Sequence, residues 1–154
     1  MKILMVCLGN ICRSPLAEGI LTEKVKKEKL NVKVDSAGTG GWHVGEAPDP
    51  RSVEIARQKG LDITHQRARK FSEYDFEVFD KIYVMDNQNK HDVLNLATTP
   101  EEENKVKLIL DEIEAGQNKN VPDPYWDDDG FEKVFNMLDK ATDVIIEKIK
   151  NNQL

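Results

Sequence analysis

No apolar run in the sequence is long enough to cross a membrane. A spanning helix needs about 18 or more consecutive apolar residues, whereas hydrophobic residues make up only 39% of the 154 residues and are interspersed with charged ones. Met1 and Lys2 lead directly into a strand-like pattern, without the small-residue cleavage site of a secretory signal. These absences favour a cytoplasmic protein with no membrane partner.

Cysteine and histidine are scarce. The two cysteines, Cys7 and Cys12, are expected to be free thiols, because reducing compartments disfavour disulfides. Their spacing is poor for zinc, and the three histidines, at positions 43, 65 and 91, form no ligand pair. We therefore expect neither a metal nor another cofactor.

The chain also lacks an excess of positive charge. Its 22 Lys and Arg residues are outnumbered by 28 Asp and Glu residues, which gives a formal net charge of −6. A field of this sign repels polyanions, so nucleic acid is excluded as a partner. The length suits one hydrophobic core, and we expect residues 1–154 to form a single, monomeric domain.

Strand-like and helix-like patterns alternate along the chain. Strands are predicted at 3–6, 31–39, 80–86 and 106–110. Helices are predicted from Pro15 (capped by Ser14) to about Lys29, from Pro50 (capped by Asp49) to about Gly60, and over 71–79, 89–96 and 131–149, with 111–122 as a polar linker. This alternation predicts an α/β three-layer sandwich, in which helices flank both faces of a four-stranded parallel sheet.

A short loop joins the first strand to the first helix, where parallel sheets collect their ligands. It begins at Cys7 and ends at Arg13. The residues between them are Leu8, Gly9, Asn10, Ile11 and Cys12. Gly9 and Asn10 tolerate left-handed backbone, and such a turn aims N–H groups inward beside the positive end of a helix. Because Arg13 adds a planar cationic fork, the loop is predicted to hold a tetrahedral oxyanion.

Cys7 lies at the base of this predicted cradle. A free thiol with a pKa of about 8.5 is mostly protonated at pH 7, but surrounding donors favour the thiolate. The pattern thus indicates phosphoryl transfer to sulfur. The alternative is that Cys7 and Cys12 are small buried apolar residues and Arg13 a surface charge. A nucleotide-binding phosphate loop is excluded because no Gly-Lys-Ser/Thr tripeptide follows.

A leaving alkoxide or phenoxide requires a proton, so an acid is expected near the loop. Asp123 is the candidate because two prolines hold it in a stiff segment, "VPDPYW", with Tyr125 and Trp126 directly after it. The alternative is a proline turn whose aromatic side chains cover the core.

Four motifs occur in order over about residues 2 to 150: "VCLGNICRSP", "DSAGTGGWHVGEAPDPR", "THQRAR" and "DPYW". In these motifs the chain resembles the low-molecular-weight protein tyrosine phosphatases, with their Cys-x5-Arg phosphate loop. The resemblance implies that Cys7 is the nucleophile that becomes a phosphocysteine. It further implies that Arg13 binds the phosphoryl oxygens and that Asp123 is general acid and later base. The implied partner is a tyrosine-phosphorylated protein or peptide.

The resemblance also implies supporting roles. Asn10, Ser14, Ser36 and His65 match a buried hydrogen-bond network behind the loop, while Trp42, Tyr125 and Trp126 match an aromatic rim. The remaining implied substrate contacts are Leu8, Gly9, Ile11 and Cys12. Cys12 matches a second thiol that can trap Cys7 in a reversible disulfide under oxidants.

Three alternatives stay open on the same loop. An arsenate reductase of this fold needs a further thiol near residues 75 to 90, where the sequence has none. A phosphate-binding module without turnover would need neither a thiolate nor an acid. A protein arginine phosphatase is disfavoured by the apolar Ile11, because a guanidinium there requires a hydrogen-bond acceptor or a smaller wall.

Overall fold

A computed structural model describes all residues, 1–154. The strands are β1 (Lys2–Cys7), β2 (Lys33–Gly38), β3 (Lys81–Val84) and β4 (Val106–Leu108). The helices are α1 (Arg13–Lys27), α2 (Pro50–Gln58), α3 (Asp75–Val78), α4 (Asn87–Leu94), α5 (Pro100–Asn104) and α6 (Gly130–Lys150). Single 3₁₀ turns span Ile109–Glu112 and Pro124–Trp126. None of the helices combines the length and apolar character needed to cross a bilayer.

The four strands form one parallel sheet in the order β2-β1-β3-β4, which confirms the predicted fold class. Strand β1 is buried on both faces. Ile3, Met5 and Cys7 belong to the core cluster shared with α1 and α6, whereas Leu4 and Val6 belong to the cluster on the opposite face. Because side chains alternate along a strand, this pattern turns the Cys7 side chain toward α1.

The position of β1 in the sheet locates the site. From β1 the chain crosses to β2 on one side, and β3 and β4 then lie on the other side. Such a reversal of direction opens a crevice beyond the carboxyl ends of the two strands between which it occurs, here β1 and β3. The loop after Cys7 lies at this crevice, as the strand pattern predicted.

The start of α1 differs from the prediction. The helix begins at Arg13 after Cys12, without a side-chain cap, rather than at Pro15 after Ser14. The Ser14 hydroxyl lies 3.0 Å from the Cys7 sulfur and is therefore occupied elsewhere. Pro15 is still accommodated, because the first N–H groups of a helix need no intrahelical acceptor.

Three further features of the structure differ from the sequence-based expectation. Helix α4 begins at Asn87 rather than at 89, because Asp86 caps it by accepting the Asn89 N–H at 2.8 Å. Helix α5 was missed, although Thr99 caps it and Pro100 opens it. The strand predicted over 106–110 becomes a 3₁₀ turn after Leu108, and this turn takes up the start of the expected polar linker.

Gly38, at the end of β2, brings the sheet against the loop that follows Cys7. A Cβ at Gly38 would lie 2.8 Å from the Leu8 carbonyl oxygen and 3.0 Å from the Asn10 nitrogen. Because these are backbone atoms, the substitution Gly38→Ala forces the loop to move. We expect the free energy of unfolding to fall by about 1 to 3 kcal/mol in urea denaturation.

The control for Gly38→Ala is Gly41→Ala, whose Cβ would meet no backbone atom, but only the side chains of Lys70 at 3.4 Å and Val44 at 4.0 Å. It should leave the unfolding midpoint nearly unchanged. Equal stability of the two variants would contradict the close approach at Gly38.

Candidate active site

The loop from Leu8 to Cys12 turns its backbone donors away from the rest of the protein. Carbonyl groups of Cys7, Leu8 and Ile11 accept N–H groups from outside the loop at 2.8 to 2.9 Å. The N–H groups of Gly9, Ile11 and Cys12 donate to no protein acceptor, so they are available to an anion beside the positive end of α1.

Asn10 and Gly9 permit this turn for different reasons. Asn10 has the left-handed conformation that the sequence predicted for it, with φ +57°. Gly9 does not, so that part of the prediction is wrong. Glycine at position 9 instead provides space, because a Cβ there would lie 3.1 Å from Cδ2 of His43.

The Cys7 sulfur receives hydrogen bonds from two groups, one in the loop and one at the start of α1. The Asn10 N–H donates to it at 3.3 Å, and the Ser14 hydroxyl lies 3.0 Å away. The side-chain amide of Asn10 donates to the Ser14 oxygen at 2.8 Å, which leaves the Ser14 hydrogen free to point at sulfur. Two hydrogen-bond donors therefore converge on the Cys7 sulfur.

The orientation of the Asn10 amide is set from behind the loop. Its Oδ1 accepts the backbone N–H of Arg69 at 3.0 Å, so Nδ2 must face Ser14 and Ser36. The Ser36 hydroxyl in turn donates to Glu18 at 2.7 Å. Burial raises the pKa of Glu18 to about 7, against the opposing hydrogen bond from Ser36.

His65 is not part of this network, which corrects the prediction from the "THQRAR" motif. Its side chain is exposed and makes no hydrogen bond, whereas the neighbouring Gln66 is buried and donates to the Pro15 carbonyl at 3.1 Å. The residue of this motif that does belong to the network is Arg69, whose backbone N–H donates to Asn10. Glu18 was missed, although it lies four residues beyond Ser14 and so on the same face of α1.

Arg13 is almost completely buried, with 2% of its side chain exposed. Its Nη1 donates to Asp86 at 2.7 Å and to the Val121 carbonyl at 3.0 Å. Its Nε and Nη2 make no hydrogen bond within the protein, so this edge of the fork is available for two oxygens of an anion. Burial by itself would lower the pKa of Arg13, but the charges of Cys7, Asp86 and Asp123 together raise it.

Sequence reasoning also missed Asp86. Its carboxylate both holds Arg13 and caps α4. The signal was available, because Asp86 follows the apolar run of β3 at the carboxyl edge of a parallel sheet. Asp86 fixes the direction of the guanidinium.

Asp123 faces Arg13 across the mouth of the crevice. Its Oδ2 lies 3.8 Å from Nη2 of Arg13, and its Oδ1 accepts the Tyr125 N–H at 3.1 Å. A third of the Asp123 side chain is exposed, so it can exchange protons with solvent. The Asp123 carboxyl therefore lies beside the anion loop, as the sequence predicted.

These groups line one pocket of about 180 Å³. The lining residues are Cys7, Leu8, Gly9, Ile11, Cys12, Arg13, Trp42, His43, Asp123, Tyr125 and Trp126. His43, which the sequence analysis did not assign to the site, pairs with Glu46 at the rim. No group of three or more His, Cys, Asp or Glu side chains is arranged to hold a metal ion.

The mouth of the pocket is aromatic. Trp42 and Trp126 are 72% and 85% exposed, and Tyr125 meets Trp126 edge to face with ring centroids 4.8 Å apart. This arrangement excludes the alternative in which Tyr125 and Trp126 simply cover the core. It provides flat apolar walls above the anion loop.

The second thiol has a different environment from the first. Cys7 and Cys12 are both free and both line the pocket. Burial, followed by the charges of Asp49 and of the Cys7 sulfur, raises the pKa of Cys12 to about 12. At neutral pH Cys12 is therefore a protonated thiol.

Comparison with known proteins agrees with this geometry. The family model for low molecular weight phosphotyrosine protein phosphatase matches residues 2–154. A phosphatase of that description from Schizosaccharomyces pombe is 42% identical over 134 residues, which is 84% of this chain and 85% of the relative.

Solved structures are similar over nearly the whole chain. A protein tyrosine phosphatase from Entamoeba histolytica has a TM-score of 0.93 and 33% identity, covering 100% of this chain and 99% of that one. A Drosophila arginine phosphatase has a TM-score of 0.90 and 35% identity, covering 97% and 98%. The chain belongs to the low molecular weight phosphotyrosine protein phosphatase family.

Proposed function

We propose that residues 1–154 form one phosphatase domain that hydrolyses phosphotyrosine in proteins or peptides through a phosphocysteine. The observation that supports this most directly is the meeting of four features in one pocket. These are the Cys7 sulfur, the free loop N–H groups, the open edge of Arg13 and the carboxyl of Asp123. Membership of the family supplies the phosphotyrosine chemistry.

In the first step the loop N–H groups and Arg13 bind the phosphoryl oxygens, and the Cys7 thiolate attacks phosphorus. The S–P bond forms as the bond from phosphorus to the tyrosyl oxygen breaks. The Asp123 carboxyl transfers its proton to the departing phenolate. The donors stabilise the charge on the equatorial oxygens during the transfer.

In the second step water replaces tyrosine. The Asp123 carboxylate, left by the first step, takes a proton from the water as its oxygen attacks phosphorus. The S–P bond breaks, inorganic phosphate is released, and the Cys7 thiolate is restored with the hydrogen bonds of Asn10 and Ser14.

The pocket walls favour an aromatic phosphomonoester. Trp42, Tyr125 and Trp126 surround the mouth, and Ile11 adds an apolar wall. A phosphoarginine would place a cationic guanidinium against Ile11, which offers no side-chain acceptor. Similarity to an arginine phosphatase of Drosophila leaves that substrate as the second candidate.

Arsenate reduction is disfavoured because the protein has only the two thiols in the pocket and none to carry electrons further. We also propose a cytoplasmic location, since Cys7 must remain reduced to react. We propose that the protein acts as a monomer, because Cys7, Arg13 and Asp123 all come from one chain.

Replacing the nucleophile should separate binding from turnover. Cys7→Ser removes the thiolate but leaves the loop donors, so p-nitrophenyl phosphate hydrolysis should vanish while vanadate binding stays detectable. The matched variant Cys12→Ser should keep measurable turnover, because no bond to phosphorus forms there. Residual activity of Cys7→Ser above about a hundredth of wild type would contradict the assignment.

The acid should matter most for poor leaving groups. Asp123→Ala is expected to lower kcat by roughly 10² to 10⁴ for phenyl phosphate, and by less for p-nitrophenyl phosphate, whose leaving group needs little protonation. Steady-state kinetics on the two esters measure this. Asp129→Ala, an exposed carboxylate on the same segment, is the control and should resemble wild type. An equal loss on both esters would rule out general-acid catalysis by Asp123.

The two thiols should differ in alkylation. At pH 7 iodoacetate is expected to modify Cys7, and phosphate should slow the reaction. Cys12 should stay unmodified, because with a pKa of about 12 it has almost no thiolate. Peptide mapping by mass spectrometry distinguishes the sites. Preferential modification of Cys12 would overturn the proposed assignment of the reactive thiol.

A further inference from the structure

Arg51 lies in the first turn of α2, and its side chain contacts two segments on either side of the active site. It is not among the residues that line the catalytic pocket. Its contacts nevertheless connect the anion loop to the segment that carries Asp123.

On one side Arg51 is held by Asp49. Nε and Nη2 of Arg51 each donate to a carboxylate oxygen of Asp49 at 3.0 Å, in a bidentate pair. The backbone N–H of Asp49 donates to the Ile11 carbonyl at 2.8 Å. The guanidinium is thereby anchored to the wall of the anion loop.

On the other side Arg51 holds the segment from Asp123 to Gly130, which we call the acid loop. Its Nη1 donates to the Asp128 carboxylate at 2.6 Å. Its guanidinium carbon lies 5.5 Å from the centre of the Tyr125 ring and 4.7 Å from that of Phe131, both within cation–π range. The Tyr125 N–H donates to the Asp123 carboxylate, so the contact between Arg51 and the Tyr125 ring also helps to hold Asp123 in place.

Residues 124–129, the outer part of the acid loop, make one hydrogen bond to a side chain outside the loop, which is that of Arg51 on Asp128. A cavity of about 410 Å³ lies beside it, lined by Arg51, Asp128 and Phe131 among others. The side chain of Asp128 is 85% exposed, as is Trp126. The polar and cation–π contacts of Arg51 therefore link the outer part of the acid loop to α2.

We propose that Arg51 is a positioning residue, which fixes the acid loop so that the Asp123 carboxyl meets the leaving-group oxygen above the anion loop. The inference rests on the proposed role of Asp123 as general acid. Arg51 touches neither the phosphoryl group nor the reacting atoms. Displacing a catalytic group by about 1 Å can cost on the order of 10²-fold in rate, so a lost anchor has a measurable effect.

The test is Arg51→Met, which removes the charge and keeps a long apolar side chain. We expect kcat for phenyl phosphate to fall about tenfold or more and kcat for p-nitrophenyl phosphate to fall less than about threefold. Inhibition by vanadate should be unchanged, because Ile11 is held by a backbone hydrogen bond that the substitution leaves in place. A merely structural defect would lower both rates equally.

The matched control is Arg57→Met, since Arg57 lies on the same helix and pairs with the exposed Glu54 at 2.6 Å. It should stay within about twofold of wild type on both esters. If Arg51→Met melts below the assay temperature, Asp128→Asn weakens the same link from the acid loop, because it removes the negative charge that Arg51 faces. Asp128→Asn should also lower kcat for phenyl phosphate more than kcat for p-nitrophenyl phosphate, but both effects should be smaller than those of Arg51→Met.

Combining Arg51→Met with Asp123→Ala in one protein tests the inference separately from the proposed function. With the acid absent, adding Arg51→Met should lower kcat no further, and an additional fall would overturn the positioning role. If Asp123→Ala discriminates between the esters and Arg51→Met and Asp128→Asn do not, the inference fails and the proposed function stands. If Asp123→Ala does not discriminate, the proposed acid fails first and the inference fails with it.

Discussion

The arrangement around the sulfur depends on the placement of a single side-chain amide, that of Asn10. The backbone of Arg69 donates to its oxygen, so its nitrogen must serve Ser14 and Ser36. Ser14, already an acceptor, is left to donate toward Cys7. Each group in this chain therefore donates to the next one, and the last donor, the Ser14 hydroxyl, points at the Cys7 sulfur. Reversing the amide would point an acceptor at the Ser14 oxygen and orphan the Arg69 N–H group.

A second constraint is electrostatic. At the carboxyl end of β1 this acidic protein, with a net charge of −6, brings together one buried guanidinium, a helix start and several free backbone donors, and these groups can bind an anion there. Asp86 holds Arg13 by one nitrogen only. This contact orients the fork while leaving its other edge to bind oxygens. A carboxylate across both nitrogens would have competed with the phosphoryl group.

Much of the site could be predicted because its residues are close in sequence. Cys7, Arg13 and the donors between them belong to one strand-loop-helix unit, where local geometry nearly determines what the backbone can bind. Two predictions failed at single residues. Serine is a common helix cap, and Ser14 was therefore predicted to cap α1. Its hydroxyl instead contacts the Cys7 sulfur. His65 was placed in the network by the resemblance to the family, but the chain buries Gln66 and turns His65 to solvent.

The sequence by itself determined the alternation of strands and helices and the position of the anion loop after Cys7, because these follow from periodicity and from short-range backbone geometry. The tertiary structure decided which distant groups meet there. Asp86 and Asp123 are two among 28 acidic residues, and only the folded sheet brings both of them to the loop. The bridging role of Arg51 has the same origin, since its partners are separated by 79 positions from Asp49 to Asp128. Contacts between remote segments depend on packing, which no local pattern encodes.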